Sequence, residues 1–223
     1  MITMLLAILV ADPDPVALEE SGLLWQAGAA WQAEGSVEGQ ARVICRLLEE
    51  ALYAGHANRA SWLIEDLESL SPEPGLSDYW NGRLAWACGL DSTAIALLQS
   101  VDGGQWIEHR AAGTAFVYMG RPADAVDEFE LALASGSTLR RKFWAAVDLC
   151  FACIQDGDLD RASEVCAILE MSWPTEGIPP ILRALILRER GRETEAQAVL
   201  QALLSTQDAA VADMAGMLLE ESR

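Results

Sequence analysis

Lysine is nearly absent from this sequence. Of 15 basic residues only Lys142 is a lysine, and acids outnumber bases 34 to 15. A formal net charge of −19 repels a phosphate backbone, so nucleic acid is not an expected partner. A basic or moderately hydrophobic partner is easier to accommodate, and the surface acid keeps an apolar-rich chain in solution. β-Branched residues are sparse beside Ala, Leu and Glu, which favours helix over sheet. The five cysteines are an odd number, so a disulfide framework is not indicated and a reducing, cytoplasmic compartment fits. The N-terminal apolar run, Met4–Val10, is too short to span a bilayer. No basic residue precedes it and no small-residue cleavage site follows, so neither membrane insertion nor a signal peptide is expected. Met1–Val10 reads instead as a buried terminal helix.

What is present is a repeat. Apolar residues make up 52% of the 223 residues and charged residues 22%, the balance of a folded chain. Glycines followed five residues later by alanine occur as Gly55/Ala60, Gly89/Ala94, Gly120/Ala125, Gly157/Ala162 and Gly191/Ala196. Successive glycines lie 34, 31, 37 and 34 residues apart. Nine residues after each stand Ile64, Leu98, Phe129, Cys166 and Leu200; seven before stand Leu48, Gly82, Gly113, Cys150 and Ala184. Such a register predicts helical hairpins. The glycine ends one helix, the next runs back antiparallel, and small residues on either side of the turn let the two approach.

The unit resembles the tetratricopeptide repeat, with its 34-residue helix–turn–helix, Gly-x2-Tyr in the first helix and Ala-x3-Phe in the second. Gly113-Thr-Ala-Phe116 and Ala125-Val-Asp-Glu-Phe129 match it best, while the family's tryptophan, leucine and proline positions are mostly unfilled. The resemblance implies an all-α fold, a right-handed α-solenoid of about five to six hairpins in one domain over residues 1–223. Five repeats are expected over 41–205. Residues 1–34, as Met1–Val10 and Val16–Glu34, are expected to form a divergent capping hairpin, and 208–221 a capping helix. SPEPG at 71–75, DGG at 102–104, SGS at 135–137 and WPTEGIPP at 173–180 fall between units, where breakers belong.

Candidate chemistry is thin. His56 falls in a predicted turn and His109 near a helix start, with no partner at metal spacing. Cys150, Cys153 and Cys166 occupy interlocking positions of one unit and should approach one another. A structural zinc site wants four ligands and none completes the set, so they read as core, with no metal and no cofactor expected. Acidic pairs such as Glu19-Glu20, Glu49-Glu50 and Asp127-Glu128 read as solvated helix faces. There is no phosphate loop, G-x-S-x-G or H-E-x-x-H, so no enzyme is expected.

A solenoid binds through its concave face, lined by the first helix of each hairpin. Offsets taken from the tetratricopeptide family place Tyr53, Tyr79, Arg83, Trp86, Arg110, Tyr118, Trp144 and Phe151 there, with few acids and with Arg42 among the interspersed arginines. Aromatics with scattered Arg are the composition of a binding hot spot. The resemblance therefore implies a non-enzymatic interaction module: an adaptor, scaffold or secretion-type chaperone holding an apolar, aromatic-anchored peptide of another protein. The rival reading is a structural subunit or homo-oligomer whose groove is filled by its own chain.

Overall fold

In the computed structural model, residues 14–20, 23–53, 55–70, 73–206 and 208–221 are described, the side chains at 20, 53, 209, 210 and 221 excepted. Every regular element among them is an α-helix. The chain begins with α1 (Pro15–Glu20) and α2 (Leu24–Ala33). Five hairpins follow: α3 (Val37–Tyr53) with α4 (Ala57–Ser69), α5 (Leu76–Ala87) with α6 (Asp91–Gln99), α7 (Gln105–Tyr118) with α8 (Pro122–Ser135), α9 (Leu139–Asp156) with α10 (Leu159–Ser172), and α11 (Ile178–Glu189) with α12 (Glu193–Leu203). The last helix is α13 (Ala209–Glu221). The stretch 16–34, expected as one helix, is two, because the Leu23 N–H bonds back to the Leu18 carbonyl at 2.9 Å and ends α1. Met1–Val10, expected as a buried helix, lies outside the described residues.

The turn between α7 and α8 shows why the repeat needs glycine. Gly120 sits at φ +68°, in the left-handed region that costs an L side chain about 1–2 kcal/mol. Its N–H donates to the Val117 carbonyl at 3.0 Å, and the Arg121 N–H to that of Phe116 at 2.9 Å. These bonds satisfy carbonyls that the end of α7 would otherwise leave open. Pro122 then opens α8, where its missing N–H is not needed. Gly55, Gly89, Gly157 and Gly191 share the positive φ. So does Gly35, between α2 and α3, which the Gly/Ala spacing passes over because Gln40 stands where the alanine would.

The alanines five residues after the turn glycines, Ala60, Ala94, Ala125, Ala162 and Ala196, are all fully buried. The residues nine after, Ile64, Leu98, Phe129, Cys166 and Leu200, are buried as well. Facing them, Gly113 leaves room for a ring: a Cβ there would come within 2.6 Å of Phe129. These contacts build three successive apolar clusters along the chain.

Helices pack against their sequence neighbours, and the first helix of each hairpin also touches the first helix of the next. α3, α5, α7, α9, α11 and α13 therefore stand side by side in one inner layer, with the second helices outside them. The inner layer curls back on itself. Arg46 and Glu50 of α3 line the same small gap, about 40 Å³, as Val211 and Met214 of α13.

Candidate functional site

The inner layer encloses a groove with a cavity of about 600 Å³. α3 contributes Val37, Ala41, Arg42, Cys45 and Glu49; α5 and the residues before it contribute Glu73, Leu76 and Trp80. α7 contributes Trp106 and Arg110, and the start of α9 contributes Thr138, Arg140, Arg141 and Trp144. Three tryptophans and several aliphatic side chains make the lining mostly apolar, with charge confined to specific points. That is the composition of a recognition pocket.

A charge network lies beneath this lining. Arg110 is 2% exposed. Its Nε donates to Asp148 Oδ2 at 2.5 Å and its Nη2 to Glu49 Oε1 at 3.4 Å. Arg83 Nη1 donates to both oxygens of Glu49 at 2.9 Å. The Arg110 guanidinium also lies over the rings of Tyr79 (4.9 Å), Trp106 (5.5 Å) and Trp144 (5.7 Å). Burial alone would lower the pKa of this guanidinium. The attraction of Asp148 and Glu49 outweighs it and holds the group above the ordinary arginine value. A second chain of pairs runs along the rim. Arg42 donates to Glu19 at 2.7 and 2.9 Å, Arg140 to Glu176 at 2.8 Å, and Arg141 to Glu73. Every arginine lining the cavity is thus neutralised within the fold.

The eight residues expected to contact a partner are distributed unevenly. Arg110 and Trp144 line the cavity. Tyr79 is 1% exposed and lies under the network, its hydroxyl pushed up to about 12 by burial. Arg83 is mostly buried and committed to Glu49. Trp86 and Tyr118 stack on each other, rings 4.0 Å apart and 8° from parallel, toward the turn ends of α5 and α7. Phe151, 39% exposed, is on α9 and outside the cavity lining. Tyr53 ends α3, and its side chain is outside the described residues. The cavity lies nearer the N-terminal ends of the inner helices than the family offsets place it. Trp80, Trp106, Arg140 and Arg141, which line it, are not among the residues those offsets name. One signal could have pointed there: Arg140-Arg141-Lys142 is a compact basic run in a strongly acidic chain.

On this face Glu49, Glu73 and Asp148 each pair an arginine. Not all the acidic pairs are on solvated faces. Glu19 and Glu49 are each 5% exposed, because each serves an arginine of the inner layer.

The other chemical candidates are packed or paired. His109 Nδ1 lies 2.8 Å from Glu128 Oε2, linking α7 to α8, and His56 precedes α4. Cys150, Cys153 and Cys166 are free and buried, as the interlocking positions predict. Cys150 Sγ donates to the Ala162 carbonyl at 3.3 Å and Cys166 Sγ to that of Pro179 at 3.4 Å; the neighbouring Cys166 thiol and burial push the Cys150 thiol well above the usual range. Among the described residues no group of three His, Cys, Asp or Glu side chains is placed to hold a metal ion. None of their helices is long and apolar enough to cross a membrane.

Fold and groove together define a class: an all-α repeat protein of stacked helical hairpins with an apolar inner groove. No family model matches the sequence, and no curated protein does. Among solved structures the chain is similar to the tetratricopeptide domain of P58(IPK), at 14% identity and a TM-score of 0.40, covering 93% of this chain and 68% of that one.

Proposed function

We propose that this chain is a non-enzymatic protein-interaction module that holds an apolar, aromatic-anchored segment of another protein in its inner groove. The observation that carries this reading is the cavity of about 600 Å³ walled by Trp80, Trp106, Trp144, Leu76 and Val37. Aromatic walls of this kind supply most of the energy at binding hot spots. In this reading Trp144 and the edge of Arg110 touch the bound segment. Tyr79 and Arg83 hold the floor of the groove, and Trp86, Tyr118, Phe151 and Tyr53 extend the surface toward the turns. An adaptor, scaffold or secretion-type chaperone of the cytoplasm would use such a groove. The rival reading, a subunit that docks through its outer helices, has exposed Trp25 (62%) and Trp62 (68%) in its support.

Peptides selected from a random phage-displayed library against the intact chain separate the two. Binding of the selected peptides, followed by calorimetry, should weaken at least about tenfold in Trp144→Ala and in Val37→Glu, an effect of more than 1.4 kcal/mol. Circular dichroism should show both variants folded. Peptides that bind both variants as tightly as the parent but are lost in Trp25→Ala plus Trp62→Ala would sink the groove reading.

A further inference from the structure

We propose that the segment held in the inner groove carries a lysine or arginine beside its apolar anchor, and that Glu38 takes that basic group; this rests on the groove being the binding surface. The first support is the pairing of charges on the cavity wall. Four arginines line it, Arg42, Arg110, Arg140 and Arg141, and the fold supplies an acid to each. Three acids line it as well. Glu49 is held by Arg83 and Arg110, and Glu73 by Arg141. Glu38 is the third, and among the described residues it has no ion-pair partner. Arg42 stands one turn further along α3, but its Nε and Nη2 donate to Glu19. An acidic segment would have to displace an acid of the fold. A basic segment meets a carboxylate that is already there and uncommitted.

The second support is access. Glu38 is exposed, and its apolar neighbours Val37 and Ala41 belong to the same wall. The aliphatic stem of a lysine or arginine can lie on Val37 and Ala41 while its charged end meets Glu38 in water. The start of α3 that presents this carboxylate is held in place. Ser36 Oγ accepts from the Gly39 N–H at 3.1 Å, and Gly39 seats so closely against the Trp31 ring that a Cβ would run into it.

The third support is that the tryptophans do not compete for the positive charge. Guanidiniums already lie over their rings: Arg83 over Trp80 at 5.1 Å, Arg141 over Trp106 at 5.2 Å and Arg110 over Trp144 at 5.7 Å. A second cation at these rings would stand against one of its own sign. The basic group therefore goes to the rim at Glu38, and the apolar anchor to the tryptophans. The long-range field agrees, since a chain of net charge −19 draws a basic segment toward it.

The probe is a peptide selected from the random phage-displayed library against the intact chain and lost in Trp144→Ala. Such peptides should carry a lysine or arginine close to their apolar anchor. Calorimetry should show binding weakened about threefold by Glu38→Gln, the size of an exposed ion pair, and at least about tenfold by Glu38→Lys, which adds repulsion. The loss should fall mainly on the association rate and shrink as salt is raised. With norleucine in place of its basic residue, the peptide should no longer distinguish Glu38→Gln from the parent. With glutamate there, it should bind Glu38→Lys more tightly than the parent. Glu65→Gln removes the same charge from an exposed site on α4 and should change nothing. An acid in the first turn of α3 also suits the helix N-terminus, so circular dichroism melts should show each variant folded at the assay temperature. Groove peptides without a basic residue, binding that Glu38→Lys leaves unchanged, or equal losses in Glu38→Gln and Glu65→Gln would each overturn this proposal and leave the interaction reading standing. Selected peptides that Trp144→Ala does not affect would remove both.

Discussion

Glu49 and Arg110 are 61 residues apart in sequence, and Glu49 Oε1 lies 3.4 Å from Arg110 Nη2. Arg83 holds the same carboxylate and Asp148 holds the same guanidinium, so one buried network ties α3, α5, α7 and α9 together. Hairpin packing explains why neighbouring helices touch. It does not say how tightly the row of hairpins should curl. The network adds that constraint, because its four residues meet only when the inner helices are at one curvature.

Arg110→Met should therefore be among the most damaging single changes. It leaves Asp148 without its guanidinium and Glu49 with Arg83 alone, in a setting where removing one partner of a buried pair costs about 3–5 kcal/mol. Arg110→Lys should recover only part of this, since one ammonium does not reproduce a planar fork that bonds two carboxylates. Urea unfolding followed by circular dichroism measures both. An Arg110→Met midpoint equal to that of the parent would show that the network contributes nothing to stability.

The hairpins were legible because their code is local. Glycine, alanine and large apolar residues at fixed offsets describe a turn and two facing helices, and the fully buried Ala60, Ala94, Ala125, Ala162 and Ala196 show the code at work. The groove was less legible because its code is not local. Whether Tyr79 faces a partner or lies buried under Arg110 depends on how α5 and α7 curl against α3 and α9. Arg83 and Arg110 looked available because their acids, Glu49 and Asp148, come from other hairpins. Gly35 was passed over for the opposite reason: its turn is like the others, but Gln40 breaks the spacing that marks them.

Glu50 and Glu19 should give opposite pH responses. Burial first, and Asp208 second, raise the Glu50 carboxyl above its ordinary 4.5, with Arg59 and Arg46 acting against them. A carboxyl raised in the folded state binds its proton more tightly there than in the unfolded chain. The fold is then penalised once the pH exceeds that raised value, and the penalty disappears as the pH falls below 4.5. Glu50→Gln should thus stabilise at pH 7 and show no gain in acid. Glu19 is lowered: burial works against the charged form, but hydrogen bonds from Arg42 and Trp31 overcome it. Its contribution is complete above 4.5 and is lost as the pH falls through its lower folded value. Glu19→Gln should destabilise at pH 7, and the difference should close in acid. Thermal melts across pH check both signs.

Gly113 and Gly120 are seven residues apart and should resist alanine for different reasons. Gly120 has open space where a Cβ would stand, with nothing within 4 Å, so Gly120→Ala meets only the cost of φ +68°, about 1–2 kcal/mol. Gly113 is inside α7, where alanine would ordinarily gain about 1 kcal/mol in helix propensity. There the new methyl would press on the Phe129 ring at 2.6 Å, and overpacking of that kind costs about 1–3 kcal/mol. Phe129→Leu should rescue Gly113→Ala and do nothing for Gly120→Ala. A double-mutant cycle from chemical unfolding reads the coupling directly, and equal effects of Phe129→Leu on both would disprove the interlock.

The five cysteines should report groove and core separately. Cys88 is exposed and should react at once with a thiol-specific chromogenic disulfide. Cys45 lines the groove, and burial pushes its thiol up to about 12, which leaves about one part in 10⁴ as thiolate at pH 8. It should react slowly, and more slowly still when a selected peptide fills the groove. Cys150, Cys153 and Cys166 are buried between hairpin helices and should react only as the chain unfolds. The expected count is one fast thiol in the native protein and five in guanidinium chloride. Fast labelling of Cys150 or Cys153 in the native state would contradict the packing of α9 against α10. A Cys45 rate indifferent to bound peptide would mean that the peptide sits somewhere other than the cavity between α3 and α5.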